Sequence, residues 1–218
     1  MSVAPIRSRK RRSVACASAP TAAGTGAASA PPGELPAGPW ATPTVNAESP
    51  NELREYSRQW TRRYLRLRAE LEAVLGQSAL RIDHVGSTSV PGLVARPVVD
   101  IQVSVADLMV EEEYRPALEG LGYAMVDREP YRRLFTTAAG LVQLSVCNAG
   151  GAWEYDHLLF AAYLRAHPDR RVGYERLKFN LAAEYGTGSP TYLKLRGPFV
   201  HATVVRAEPW AAAAGWRV

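Results

Sequence analysis

The chain has 218 residues, enough for one or two domains, of which 47% are hydrophobic and 22% charged, the composition of an ordinary globular protein. Its net charge of +5 is concentrated at one end: residues 1–47 hold Arg7, Arg9, Lys10, Arg11 and Arg12 against Glu34 alone, so the remaining 171 residues carry only +1, which argues against a nucleic-acid surface on the body of the protein. No apolar stretch reaches the roughly 18 residues of a membrane span, and Cys16 and Cys147 imply no disulfide framework, so a reducing, cytoplasmic setting fits.

Residues 1–47 are Ala, Pro, Gly, Ser and Thr with few large hydrophobes. They lack the apolar core of an export signal and cannot bury enough surface to offset ordering, which predicts a disordered leader ahead of a domain over 48–207 and a tail over 208–218. Ser49-Pro50-Asn51-Glu52 reads as a capping box opening a helix. Behind it Leu53, Tyr56, Trp60, Tyr64, Leu67, Leu71 and Val74 recur at spacings of three and four, one apolar face closed by Gly76.

A strand follows over 80–85, then Gly86-Ser-Thr-Ser-Val-Pro-Gly92, which has the residues of a turn. Val98–Val105 is β-branched and mostly apolar, as a sheet-buried strand should be. A short helix is predicted over 114–121, then strands at 123–126, 133–137 and 141–147, the last two joined as a hairpin by Ala-Ala-Gly. Cys147 reads as a small core residue. Helices at 153–166, 168–185 and from Ser189-Pro190 onward complete the chain, with a kink expected at Gly197-Pro198. The sum is one α/β domain, a small mixed sheet flanked by helices with further helices at its C-terminal end.

The chemistry concentrates where the 80–85 strand meets its turn. A Gly-Ser turn at a strand end exposes backbone N–H groups and a hydroxyl able to cradle phosphate oxygens, with Gly permitting close approach. Asp100, on the adjoining strand, is placed to hold Mg²⁺ against those phosphates. The alternative is a plain turn between two strands.

The run His84-Val-Gly-Ser-Thr-Ser-Val-Pro-Gly-Leu-Val-Ala-Arg-Pro-Val-Val-Asp-Ile-Gln-Val103 closely resembles the signature of the GrpB family. The likeness continues through Tyr56 and Trp60, Arg132-Arg133 and Phe135, His157-Leu158, Tyr163–Pro168, Tyr174, Leu177-Lys178 and Tyr192, covering about residues 49–206. It implies a polymerase-β-like nucleotidyltransferase core, with Gly86 and Ser87 as the phosphate turn and Asp100 as the first metal carboxylate and sole catalytic acid. The phosphate set drawn from it is His84, Gly86, Ser87, Thr88, Ser89, Arg96 and Arg133. His84 could instead bond the loop, and of Arg132 and Arg133 only one can face a site. The carboxylate set is incomplete: Gln102 stands at the second position and Val142–Val146 holds no acid, leaving Asp83 and Glu154 as substitutes. Relatives of the family also occur fused to dephospho-CoA kinase. The resemblance therefore implies a nucleotide or phosphorylated small molecule as partner and leaves open whether Mg²⁺ joins it; it is compatible with nucleotidyl transfer to a small acceptor, or with a catalytically degenerate protein acting as a ligand sensor or accessory/scaffold subunit.

Overall fold

The structure, a computed structural model, describes residues 49–218; the predicted leader lies outside them. Five strands form one sheet: β1 (Arg81–Val85), β2 (Val99–Val105), β3 (Tyr123–Glu129), β4 (Arg132–Thr137) and β5 (Val142–Asn148). Their order across the sheet is β1-β2-β5-β4-β3, with β2 and β5 parallel and every other neighbouring pair antiparallel. Among the described residues five α-helices flank it: α1 (Arg58–Leu75), α2 (Arg115–Gly120), α3 (Ala152–Ala166), α4 (Pro168–Tyr185) and α5 (Pro190–Ala214). This is the mixed sheet flanked by helices that the sequence predicts.

The register sorts side chains onto two faces, because successive residues of a strand point to opposite sides. Val99, Ile101, Val103 and Val105 of β2 stand beside Val142, Leu144 and Val146 of β5 on one face. They pack in the main core with Trp60, Tyr64, Leu67, Leu71 and Leu75 of α1 and Leu118 of α2. Each fully buried aliphatic there contributes about 1.5–3 kcal/mol. Asp100, Gln102 and Ser104 of β2 alternate onto the opposite face, level with Gln143, Ser145 and Cys147 of β5. Cys147 is fully buried, and burial pushes its thiol up to about 12, so it packs as an inert small residue. On this side α3, α4 and α5 build a second apolar cluster around Leu159, Phe160, Leu164, Tyr174 and Val204.

Three elements differ from the sequence reading. The first helix begins at Arg58, capped by the Ser57 hydroxyl, which accepts from Gln59 N at 3.2 Å. Residues before it are not helical: a turn at Pro50 and Asn51 leads to Arg54, which pairs with Ala95 in a β-bridge and so ties the entry segment to the loop ahead of β2. β3 runs on to Glu129 and turns tightly into β4 at Arg132, a second hairpin whose Pro130 and Tyr131 carried no strong turn signal. Finally, α5 passes the boundary drawn at 207 and continues to Ala214 with Pro198 and Pro209 inside it; Ala211 is buried and Trp210 and Trp216 pack on the second cluster. Among the described residues no helix is long and apolar enough to cross a membrane.

Candidate functional site

Between the polar face of the sheet and helices α4 and α5 lies a cleft of about 370 Å³, lined among others by Ser87, Thr88, Arg96, Asp100, Lys178, Tyr192 and Arg196. A second chamber of about 200 Å³ adjoins it through Ser87, Asp100, Gln143 and Arg196, and is walled by Trp153, His157, Phe160 and Tyr174.

The floor is set by Gly86 and Asp100. Gly86 follows β1 at φ 67°, a conformation that favours glycine. A Cβ on it would lie 2.2 Å from Asp100 Oδ2. The carboxylate thus rests directly on the turn, as the Gly-Ser signature requires. Ser87–Ser89 then form a single 3₁₀ turn. The Ser89 hydroxyl donates to Gly86 O at 2.8 Å, holding the turn closed, and Ser89 lies outside both cavities. Ser87 and Thr88 line the cleft.

The turn and the strand-like loop after it are clamped by the C-terminal helices. Arg165 of α3 donates to Ser89 O at 3.1 Å, and Val94 N donates to the Glu175 carboxylate of α4 at 2.8 Å. One helical turn on, Lys178 donates to Val94 O and lies 3.4 Å from Ser87 Oγ. Its ammonium also sits 4.7 Å from the Tyr174 ring centroid, a cation–π contact. Arg196 lies 5.9 Å over the Tyr192 ring, and Arg96 enters from the loop before β2.

Charge in the cleft is unbalanced. Among the described residues Arg96, Lys178 and Arg196 form no ion pair with a carboxylate, whereas Arg132 is held by Asp127 at 2.8 Å and Glu129 at 3.0 Å and lies 4.8 Å over the Trp153 ring. Burial pushes the Asp100 carboxyl up to about 6, against the pull of Arg196, Arg96 and Lys178. The residue as a whole is half-buried, but its carboxylate occupies the closed floor between Gly86 and the cleft, which is why burial prevails. Lys178 is 1% exposed. Burial, then Arg196, bring its ammonium down to about 7, against Glu175 and Asp100.

The predicted site residues divide. Gly86, Ser87, Thr88, Arg96 and Asp100 come together at the cleft. His84 does not. It pairs with Ile101 and so falls on the core face, stacked on Tyr64 with centroids 4.7 Å apart, its Nε2 bonded to Thr88 Oγ1 at 3.0 Å. Burial lowers its pKa to about 4, so it braces the turn as a neutral ring from behind. Arg133 also lies on the far face, 3% exposed and bonded to Glu111 at 2.6 Å, because strand alternation turns Arg132 and not Arg133 toward the cleft. Of the substitute acids, Asp83 pairs with Arg81 at 3.1 Å, and Glu154 is buried with its Oε2 accepting from Gly150 N at 2.6 Å; neither lines the cleft.

The residues around Asp100 do not fit a magnesium ion. In register with it stand Val85 and Gln143. Gln102, next on the same face, is fully buried and donates to Glu154 O at 3.4 Å. Among the described residues no group of three His, Cys, Asp or Glu side chains is arranged to hold a metal. One acid among amides and cations is a poor hard-cation site.

Sequence reasoning left Lys178 and Arg196 out of the site. They sit in helices about a hundred residues downstream of Ser87, and nothing in their local pattern marks a site; only Lys178 stood within the residues that carry the family likeness.

The fold and cleft define an α/β protein whose Gly-Ser turn, Asp100 carboxylate and cations converge on one opening. The family pattern described as GrpB protein matches residues 50–206, and the chain belongs to that family. A UPF0157 protein of Streptomyces coelicolor is 44% identical over 126 residues, 58% of this chain and 67% of that protein. The crystal structure of GrpB from Enterococcus faecalis superimposes at a TM-score of 0.65 with 26% identity, over 73% of this chain and 99% of that one. Nucleotidyltransferases are also among the structural neighbours: the Cid1 poly(U) polymerase, bound to MgGTP, aligns at a TM-score of 0.43 with 16% identity, over 62% of this chain and 45% of that one.

Proposed function

We propose that this protein binds a nucleotide or another phosphorylated small molecule in the cleft, its phosphate lying between the Ser87–Thr88 turn and the side chains of Arg96, Lys178 and Arg196. The observation that carries this reading is the convergence, on a glycine-opened turn, of three cations with no ion-pair partner among the described residues. They come from the loop before β2, from α4 and from α5, and no helix or strand geometry alone would gather them. Burying a cation without a partner is costly, and an incoming phosphate removes that cost while accepting charge-assisted hydrogen bonds. The adjoining chamber, with Trp153, Phe160 and Tyr174 in its wall, suits an apolar or aromatic moiety attached to that phosphate.

The reading stops at binding. Nucleotidyl transfer by paired metal ions needs a carboxylate set, and Asp100 stands without a second acid in register. A ligand sensor or accessory subunit is the role that such a site supports. The test is calorimetric titration of the protein with ATP, GTP, CTP, UTP and dephospho-CoA, beside Ser87→Ala. Saturable heat from one of them, weakened about tenfold by loss of the Ser87 hydroxyl, is expected. A folded protein that gives no heat with any of them refutes the reading.

A further inference from the structure

Resting on that reading, we infer that the cleft holds its phosphate without a divalent metal, Arg96, Lys178 and Arg196 supplying the countercharge that a metal ion would otherwise provide. Two independent features carry this. The acids are few: Asp100 stands in register with Val85 and Gln143 and not with a second carboxylate, and Asp127, the other acid in the cleft wall, is bound to Arg132 at 2.8 Å. The cations are the reverse. Lys178 is 1% exposed and, like Arg96 and Arg196, has no carboxylate within ion-pair distance among the described residues. Its neighbours are Ser87 Oγ at 3.4 Å, the Val94 carbonyl and the Tyr174 ring.

Such a cleft repels a dication and attracts an anion, and in a partly closed site both effects are screened less than at the surface. Tyr192, 1% exposed, adds a hydroxyl-bearing wall. The guanidinium groups present planar forks matched to phosphate oxygens, and Lys178 a point charge.

The arrangement fixes a sign that separates the two modes of binding. The groups facing Lys178 are Asp100 on β2, Arg96 on the loop, Tyr174 and Glu175 on its own helix, and Arg196 and Tyr192 on α5. His157 faces the adjoining chamber. An anion placed among them favours the protonated form of Lys178, Asp100 and His157 alike, so metal-free binding takes up protons. A metal ion seated on Asp100 favours the ionised carboxylate and the neutral Lys178 amine, so binding through a metal brings no proton uptake.

The experiment titrates the full chain with ATP and with inorganic tripolyphosphate, once in EDTA and once in Mg²⁺. Each titration is run at about pH 8, where both probes are close to fully ionised, in two buffers of different protonation enthalpy. We expect saturable binding in EDTA, no weaker than with Mg²⁺, accompanied by net proton uptake. Arg96→Ala, which breaks no side-chain hydrogen bond or ion pair among the described residues, should weaken it about tenfold. Lys178→Met should remove most of the uptake, with circular dichroism confirming that the variant is folded. Binding that requires Mg²⁺, or that brings no proton uptake, leaves the phosphate site standing and overturns the metal-free mode. Absence of binding in both arms removes the phosphate reading and this inference together.

Discussion

Gly86 and Asp100 show how tightly one residue can constrain another. The Asp100 carboxylate occupies the space in which any Cβ on Gly86 would have to sit, 2.2 Å away, and Gly86 also holds a φ of 67°. Gly86→Ala should therefore cost on the order of 1–3 kcal/mol of stability and displace the carboxylate, abolishing ligand binding; thermal unfolding and titration would read the two effects separately. Asp100 itself is held ionised against burial. Its carboxyl is raised from 3.8 to about 6, so between those values the folded state binds more protons than the unfolded one. Stability then falls as pH climbs through that window and stays reduced above it. Asp100→Asn should raise the melting temperature at neutral pH by a few degrees, about 1–3 kcal/mol at most, and leave it unchanged near the acid end of the window. A stabilisation equal at both pH values would show that ionisation is not the cause. A site that is destabilising when empty is what a ligand-binding role demands.

At the scale of elements, the loop between β1 and β2 is shaped less by its own sequence than by the helices behind it. Glu175 and Lys178, one turn apart on α4, grip the N–H and C=O of the same residue, Val94. This places Arg96 two residues further on at the cleft. Glu175→Ala removes one grip, and amide hydrogen exchange over residues 92–97 should rise about tenfold or more while phosphate affinity falls severalfold. Unchanged exchange would mean that the Lys178 grip and the Arg54–Ala95 bridge fix the loop without Glu175. The strands and the C-terminal helices were readable because β-branched runs, Pro at helix starts and Gly at helix ends are local signals. The start of α1 was not. Ser49 and Ser57 both cap plausibly, and the choice between them is made by the pairing of Arg54 with Ala95, a contact across some forty residues. His84 and Arg133 illustrate the same limit inside strands: alternation establishes that neighbours face opposite sides, but only the sheet's partners decide which side is the core.

Across the whole molecule, the Gly-Ser turn and Asp100 were legible in one contiguous motif, while Lys178 and Arg196, the charges that complete the opening, become neighbours only when α4 and α5 fold back over the sheet. The end of α5 takes part in that closure. Ala211 is buried, and Trp210 and Trp216 pack against the cluster around Tyr163 and Tyr155. Removing residues 208–218 should cost on the order of 3 kcal/mol or more, lowering the melting temperature by roughly 6–12 °C; a truncated chain as stable as the intact one would show that the second cluster does not depend on this segment. The central claim is that three cations with no ion-pair partner among the described residues make the cleft a phosphate site, and it is tested most directly by titrating inorganic tripolyphosphate into the wild-type protein and into the Arg96→Ala/Arg196→Ala double variant. Saturable binding to the first, weakened about a hundredfold or more in the second, is the predicted result. Equal binding to both, or none to either while both remain folded, would contradict it.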